Sequence, residues 1–260
     1  MDTMDTMDKM DTHQTTERST KKPRLDNNTS ETKQAILASF AQYRNSLDRH
    51  YDQRERVIKC SRDITAQSKK IVFALLRITQ DGRERAFAEA HAHHTKVLAM
   101  LQKVSVELQG SDAFKYNRQV SPGIQEYIEA VALWGFLDDG RLITKEEAQR
   151  GLAVEVTDED YVLGICDLPG EVNRYCINAI GKGDHDAVKQ CVGFLRVLKE
   201  GVGLLGQGRI RDLDKKLGVL ESSLGKAEAA YYSMAIRHSE MSSAAAGSEN
   251  KPSLCHHLEA

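Results

Sequence analysis

A chain of 260 residues, 40% hydrophobic and 6% aromatic, can bury one sizeable core or two small ones. With 36 basic against 38 acidic residues and a net charge of −2, it has no global positive field, which argues against a self-contained basic nucleic-acid-binding module. If a nucleic acid is involved, another subunit is expected to supply much of the attraction.

Residues 1–30 are polar and repetitive, as are residues 238–260, so both ends read as mobile arms around a folded domain at 31–237. The Met-Asp-Thr repeats at the start lack the apolar centre of a secretory signal, and no stretch approaches the roughly 20 apolar residues a bilayer span needs. The expectation is a protein that neither crosses a membrane nor leaves the cell. KKPR, Lys21 to Arg24, has two readings, a nuclear import signal or a solvated charge run.

Only four prolines, against long runs with neither Pro nor Gly, predict an all-α protein. From Glu31 to Gln80 apolar residues recur at Ile36, Phe40, Tyr43, Leu47 and Tyr51, then at Ile64, Ile71, Leu75 and Ile78. That pattern predicts one very long helix or two nearly collinear ones. A second helix follows Asp81-Gly82, carries Phe87, Val97, Leu101, Val104 and Leu108, and is expected to end at Gly110. Pro122 is expected to open the next helix.

Further along, Thr144 with Glu147 has the capping-box pattern, Thr157 with Asp160 marks another helix start, and GKGD at 181–184 separates that helix from its successor. Ile210, Leu213, Leu217, Leu220, Leu224, Ala227, Tyr231 and Met234 form a heptad seam, equally suited to a bundle contact or a subunit interface. Five cysteines, Cys60, Cys166, Cys176, Cys191 and Cys255, are odd in number and include no CxxC pair, which fits reduced thiols. Cys166 and Cys176 read as small core residues.

Two predicted helices carry acids beside an apolar stripe. In IQEYIEAVALWGF, 124–136, Glu126 and Glu129 are three apart and share a helical face. In DEDYVLGICDLPGEVNRYCINAIG, 158–181, Asp167 and Glu171 are one turn apart, with Pro169 between them removing a hydrogen bond to the Ile165 carbonyl. Carboxylates so placed repel unless a cation or a proton intervenes. Facing helices with such pairs can build a hard-oxygen site for Mg²⁺ or Mn²⁺, and this would suit phosphodiester hydrolysis. The same spacing also occurs on solvated faces, where acids pair with Lys or Arg.

Other signals carry less. His91 and His94 of HAHH share a face but have no adjacent Cys or carboxylate, so they read as surface or partly packed side chains. Lys69, Lys70, Arg77 and Arg174 are candidate phosphate contacts. Tyr127 and Trp134 read as core rather than as base-stacking platforms. GVGLLG, 201–206, has the letters of a dinucleotide loop without a preceding strand and reads as a helix end.

RDITAQSKKIVFALLRIT (62–79), GIQEYIEAVAL (123–133) and DYVLGICDLPGEVNRYCINAIGKGD (160–184) closely resemble the translin family, in its translin-associated factor X branch, over roughly residues 35–237. The resemblance implies a bundle of long antiparallel helices. It also implies a hollow hetero-octamer with a translin-like subunit, the component 3 promoter of the RNA-induced silencing complex, acting in cytoplasm and nucleus. In that assembly the factor X branch is the Mg²⁺-dependent endoribonuclease subunit, acting on single-stranded RNA, with single-stranded DNA as a further partner. The family's acidic catalytic residues fall on Glu126, Glu129 and Asp167, with Glu171 as fourth ligand. Pro169 departs from the pattern, standing where a residue such as Thr is expected. The alternative implied function is a non-catalytic scaffold that binds translin and modulates its nucleic-acid binding.

Overall fold

The structure, a computed structural model, describes residues 27–248 apart from Gln207, with side chains described within 30–237. The Met-Asp-Thr repeats, KKPR and Cys255 lie outside the described residues. With no glycine or proline to interrupt the hydrogen-bond ladder, α1 runs unbroken over Asn27–Leu76, 50 residues. The chain divides into two compact units at His50. In the first, Ile36, Phe40, Tyr43 and Leu47 are all more than half exposed, and Phe40 meets Tyr43 edge to face. In the second, Ile64, Ile71 and Leu75 of α1 are fully buried.

The second unit is all-α among the described residues. A single turn, α2 (Ile78–Asp81), and Gly82 at φ 85° lead into α3 (Arg83–Ser105). α3 lies antiparallel to α1: Arg56 bonds Glu107, Cys60 faces Met100 and Gln67 meets His93. Two sequence expectations are corrected here. α3 stops at Ser105, not Gly110; Gly110, at φ 58°, instead precedes α4 (Ser111–Asp139), as its N-cap. Nor does Pro122 open a helix, since α4 passes straight through it.

The reason is tertiary. Pro122 leaves the Arg118 carbonyl without its helical donor, and the helix around it is held to α1 instead: the Ser61 hydroxyl donates to the Val120 carbonyl at 3.3 Å and accepts from Gly123 N at 3.1 Å. A Cβ on Gly123 would lie 2.8 Å from the Ser61 carbonyl, so only glycine allows this close approach.

After α5 (Lys145–Gln149), whose Thr144–Glu147 capping box forms as expected, Thr157 caps α6 (Asp158–Gly181). Asp184 caps α7 (His185–Gly203), and α8 spans Leu213–Ser248. α7 ends within GVGLLG. α6, α7 and α8 pack on one another, and the heptad seam lies in that contact. Leu213, Leu220, Leu224, Ala227 and Met234 are buried, while Ile210 precedes the helix. The seam therefore serves an intramolecular bundle. Cys166 and Cys176 are buried thiols, as expected.

α3 and α4 also run antiparallel, with Arg83 at the Leu137 carbonyl and His94 at Tyr127. α4 and α6, by contrast, are parallel because the α5 segment carries the chain back: Ser121 pairs with Asp160 at one end and Phe136 with Tyr175 at the other. Gly164 is their crossing point. A Cβ there would fall 2.7 Å from the Gln125 carbonyl and 2.8 Å from Ile128 Cβ. Gly164→Ala is expected to cost about 1–3 kcal/mol by overpacking, read as a lower urea midpoint. It would also separate the two helices that carry the acids.

Candidate active site

The parallel register between α4 and α6 is pinned by a buried polar cluster. Asp160, 2% exposed, accepts from Ser121 and from Gln125 at 3.1 Å, and from its own cap residue Thr157 at 2.9 Å. A buried carboxylate survives because each oxygen is hydrogen-bonded. With Asp160 opposite Ser121, an advance of about two helical turns along both helices brings Glu126 and Glu129 on α4 alongside Asp167 and Glu171 on α6. The four predicted acids thus share one patch.

Their electrostatics confirm the proximity. Burial raises Glu129 well above the usual carboxylate range, to about 8, with further upward contributions from Glu126, Asp167 and Glu171 and a smaller opposing one from Lys216. Burial also raises Glu171, against the pull of Arg174, and Glu126 adds to the rise. Glu171 Oε2 is buried without a hydrogen bond, although Arg174 Nη1 lies 3.3 Å away.

The patch is nevertheless a set of ion pairs in this conformation. Lys69 of α1 lies 3.3 Å from Glu126, Arg174 pairs with Glu171, and Lys216 of α8 pairs with Asp167. Among the described residues, no three His, Cys, Asp or Glu side chains are grouped to hold a metal ion. The donor set itself suits Mg²⁺ or Mn²⁺, being all hard oxygen. The buried, unbonded Glu171 oxygen and the strained Glu129 carboxyl are groups a divalent cation would satisfy.

Lys216 has no signature in the sequence because its partner is 49 residues away on another helix. Of the three cations it is the most buried, at 20% side-chain exposure against 65% for Lys69 and 61% for Arg174, and it also donates to the Leu163 carbonyl at 3.2 Å. Lys216→Met is expected to destabilise the fold at neutral pH by about 1 kcal/mol, allowing for solvent screening at the partly exposed Asp167. A denaturant titration at neutral pH measures this.

The remaining candidates sort into packing and surface roles. Tyr127 is 2% exposed and bonds His94 Nε2 at 3.0 Å; burial holds the His94 imidazole below its usual range. Trp134 packs edge-on to Phe87 at 5.4 Å and to His91 and His94. His91 is exposed and His94 partly buried, which matches the surface or partly packed roles that the sequence suggested. Arg77 is committed to Asp81 and Glu89, which weakens it as a phosphate contact. α6 continues as a helix through Pro169, so Asp167 and Glu171 remain one turn apart.

This architecture matches known proteins. The Translin family model matches residues 52–238. Translin-associated protein X of Rattus norvegicus is 32% identical over 245 residues, covering 84% of each chain. Its Schizosaccharomyces pombe homologue is 31% identical over 207 residues, 77% of this chain and 89% of its own. Translin of Mus musculus is more distant, 22% identical over 228 residues, 83% of this chain and 99% of its own. Among solved structures, apo-NeC3PO superposes with a TM-score of 0.63 at 20% identity, covering 75% of this chain and 96% of that one. The AfC3PO–duplex RNA complex gives 0.62 at 20% identity, over 76% and 97%. Among the described residues no helix is long and apolar enough to cross a membrane. The chain belongs to the translin family.

Proposed function

We propose that this chain is the catalytic subunit of a metal-dependent endoribonuclease that cleaves single-stranded RNA together with a translin-like partner, in cytoplasm and nucleus. Glu126, Glu129, Asp167 and Glu171 form its acidic centre, with Mg²⁺ or Mn²⁺ as cofactor. The observation that carries this reading is the convergence of four carboxyl groups from two parallel helices on one patch, with Glu129 buried beside the other three. Carboxyl groups gathered in one patch, with ionisation shifted by burial and by one another, are a mark of functional sites. Similarity to an RNA-bound C3PO structure supports a nucleic-acid substrate.

When bound, the divalent ion supplies Lewis-acid stabilisation at phosphorus and a more acidic water. The chain's own part is positional. The Asp160 cluster fixes the α4/α6 register, Lys216 orients Asp167, and the exposed Lys69 and Arg174 stand beside the acids where phosphate oxygens would arrive. No side chain of the patch acts as a covalent nucleophile.

The second reading, a non-catalytic translin-binding scaffold, is favoured by a specific observation: three of the acids already have cationic partners. Copurification with a translin-like subunit, followed by a labelled single-stranded RNA assay in Mg²⁺ and in EDTA, separates the two. Cleavage in Mg²⁺ alone is expected. An intact hetero-complex that leaves the RNA whole in Mg²⁺ and in Mn²⁺ would establish the scaffold.

A further inference from the structure

Upstream of Glu126 on the same pair of helices lies a groove of about 660 Å³ that is rich in arginine. Arg54 and Arg62 reach it from α1, Arg118 from α4, and Thr65, Gln119 and Pro122 complete its walls. It exists because α1 and α4 run parallel and meet at Ser61 and Gly123, leaving a trough beside the contact. Arg54 is paired with its neighbour Glu55 at 2.9 Å. Arg62 and Arg118 are exposed and, among the described residues, have no ion-pair partner. Gln119 Oε1 is buried beside them without a hydrogen bond.

Following both helices onward leads to the acids. Seven residues past Arg62 stands Lys69 and eight past Arg118 stands Glu126, and those two are 3.3 Å apart. At 1.5 Å per residue the step is about 10 Å, a distance an extended strand covers in a few nucleotides. Guanidinium groups bind phosphate in a fork that ammonium cannot reproduce. An acidic centre repels a polyanion, so its substrate needs cations close by, and the net charge of −2 means they must be local.

We infer that the Arg54–Arg62–Arg118 groove binds the phosphate backbone of single-stranded RNA and delivers it to Lys69 and the acidic centre. The inference rests on the nuclease reading for its destination but not for the binding itself.

The test uses the full chain assembled with a translin-like subunit, in EDTA, with a fluorescent single-stranded RNA oligonucleotide followed by anisotropy across a salt series. Arg62→Ala with Arg118→Ala should weaken binding on the order of tenfold and reduce the salt slope by roughly 0.7 for each phosphate that the arginines no longer neutralise. Arg62→Lys with Arg118→Lys should recover most of the salt slope and part of the affinity, which a folding defect would not do. Because both side chains are exposed, thermal midpoints should hold. Unchanged affinity and slope in the alanine variant would overturn the groove, as would a loss that the lysine variant fails to recover in any part. The nuclease reading can fall separately, by Mg²⁺-dependent cleavage persisting without the acids, because this binding measurement needs no metal and no cleavage.

Discussion

Complexes carrying Glu126→Gln together with Glu129→Gln are expected to lose RNA cleavage by roughly a thousandfold or more while still assembling with a translin-like subunit. Gln keeps the shape of Glu and removes the charge, so packing of α4 on α6 is preserved and only the acidic field is lost. Glu129 is the member most surrounded by the others, feeling Glu126, Asp167 and Glu171 together, and losing its ability to ionise around a shared cation should weaken that cation's hold most. Glu159→Gln, an exposed acid in the first turn of α6, is the control and should cleave normally. The readout is single-turnover cleavage of labelled RNA in Mg²⁺, alongside size-exclusion chromatography of the complex. A double variant that cleaves at the unaltered rate would remove these acids from the mechanism.

What the sequence revealed and what it hid follow one physical division. Features set by residues within a turn or two of each other were legible: the uninterrupted α1, the Thr144–Glu147 and Thr157 caps, the seam from Leu213 to Met234, and the acid pairs on their helices. Features that depend on a distant partner were not. Pro122 reads locally as a helix start, whereas the contact that anchors α4 around it, Ser61 on α1, lies some sixty residues earlier in the chain. The parallel run of α4 and α6 has no local signature, because it is made by the returning α5 segment and by the burial of Asp160 under Ser121 and Gln125.

The same division applies within the site. Periodicity placed Glu126 with Glu129 and Asp167 with Glu171, and the translin resemblance joined the two pairs. Lys216 and the arginine groove could not be seen, since each is created where separate helices meet. Of the four cations read as candidate phosphate contacts, Lys69 and Arg174 do stand beside the acids; Arg77 is held instead by Asp81 and Glu89.

Glu129→Gln alone is expected to stabilise the protein at neutral pH. The carboxyl titrates near 8 in the folded chain against an ordinary 4.5, so folding is opposed once the unfolded chain ionises and the folded one does not. Below pH about 4 both states hold the proton and the penalty vanishes. It grows as pH rises through the ordinary carboxylate range and levels off above pH about 8, where the folded form ionises as well. At pH 7 the gain from Gln should be about 1–3 kcal/mol, a few degrees of thermal midpoint, shrinking toward zero in acid. Thermal melts of both proteins across pH measure the difference directly. A gain that shrinks in metal-free buffer when Mg²⁺ is added back would further show that a bound cation relieves the same strain in the unaltered chain, whereas a pH-independent difference would mean that Glu129 is not the buried, charge-crowded group the fold makes it.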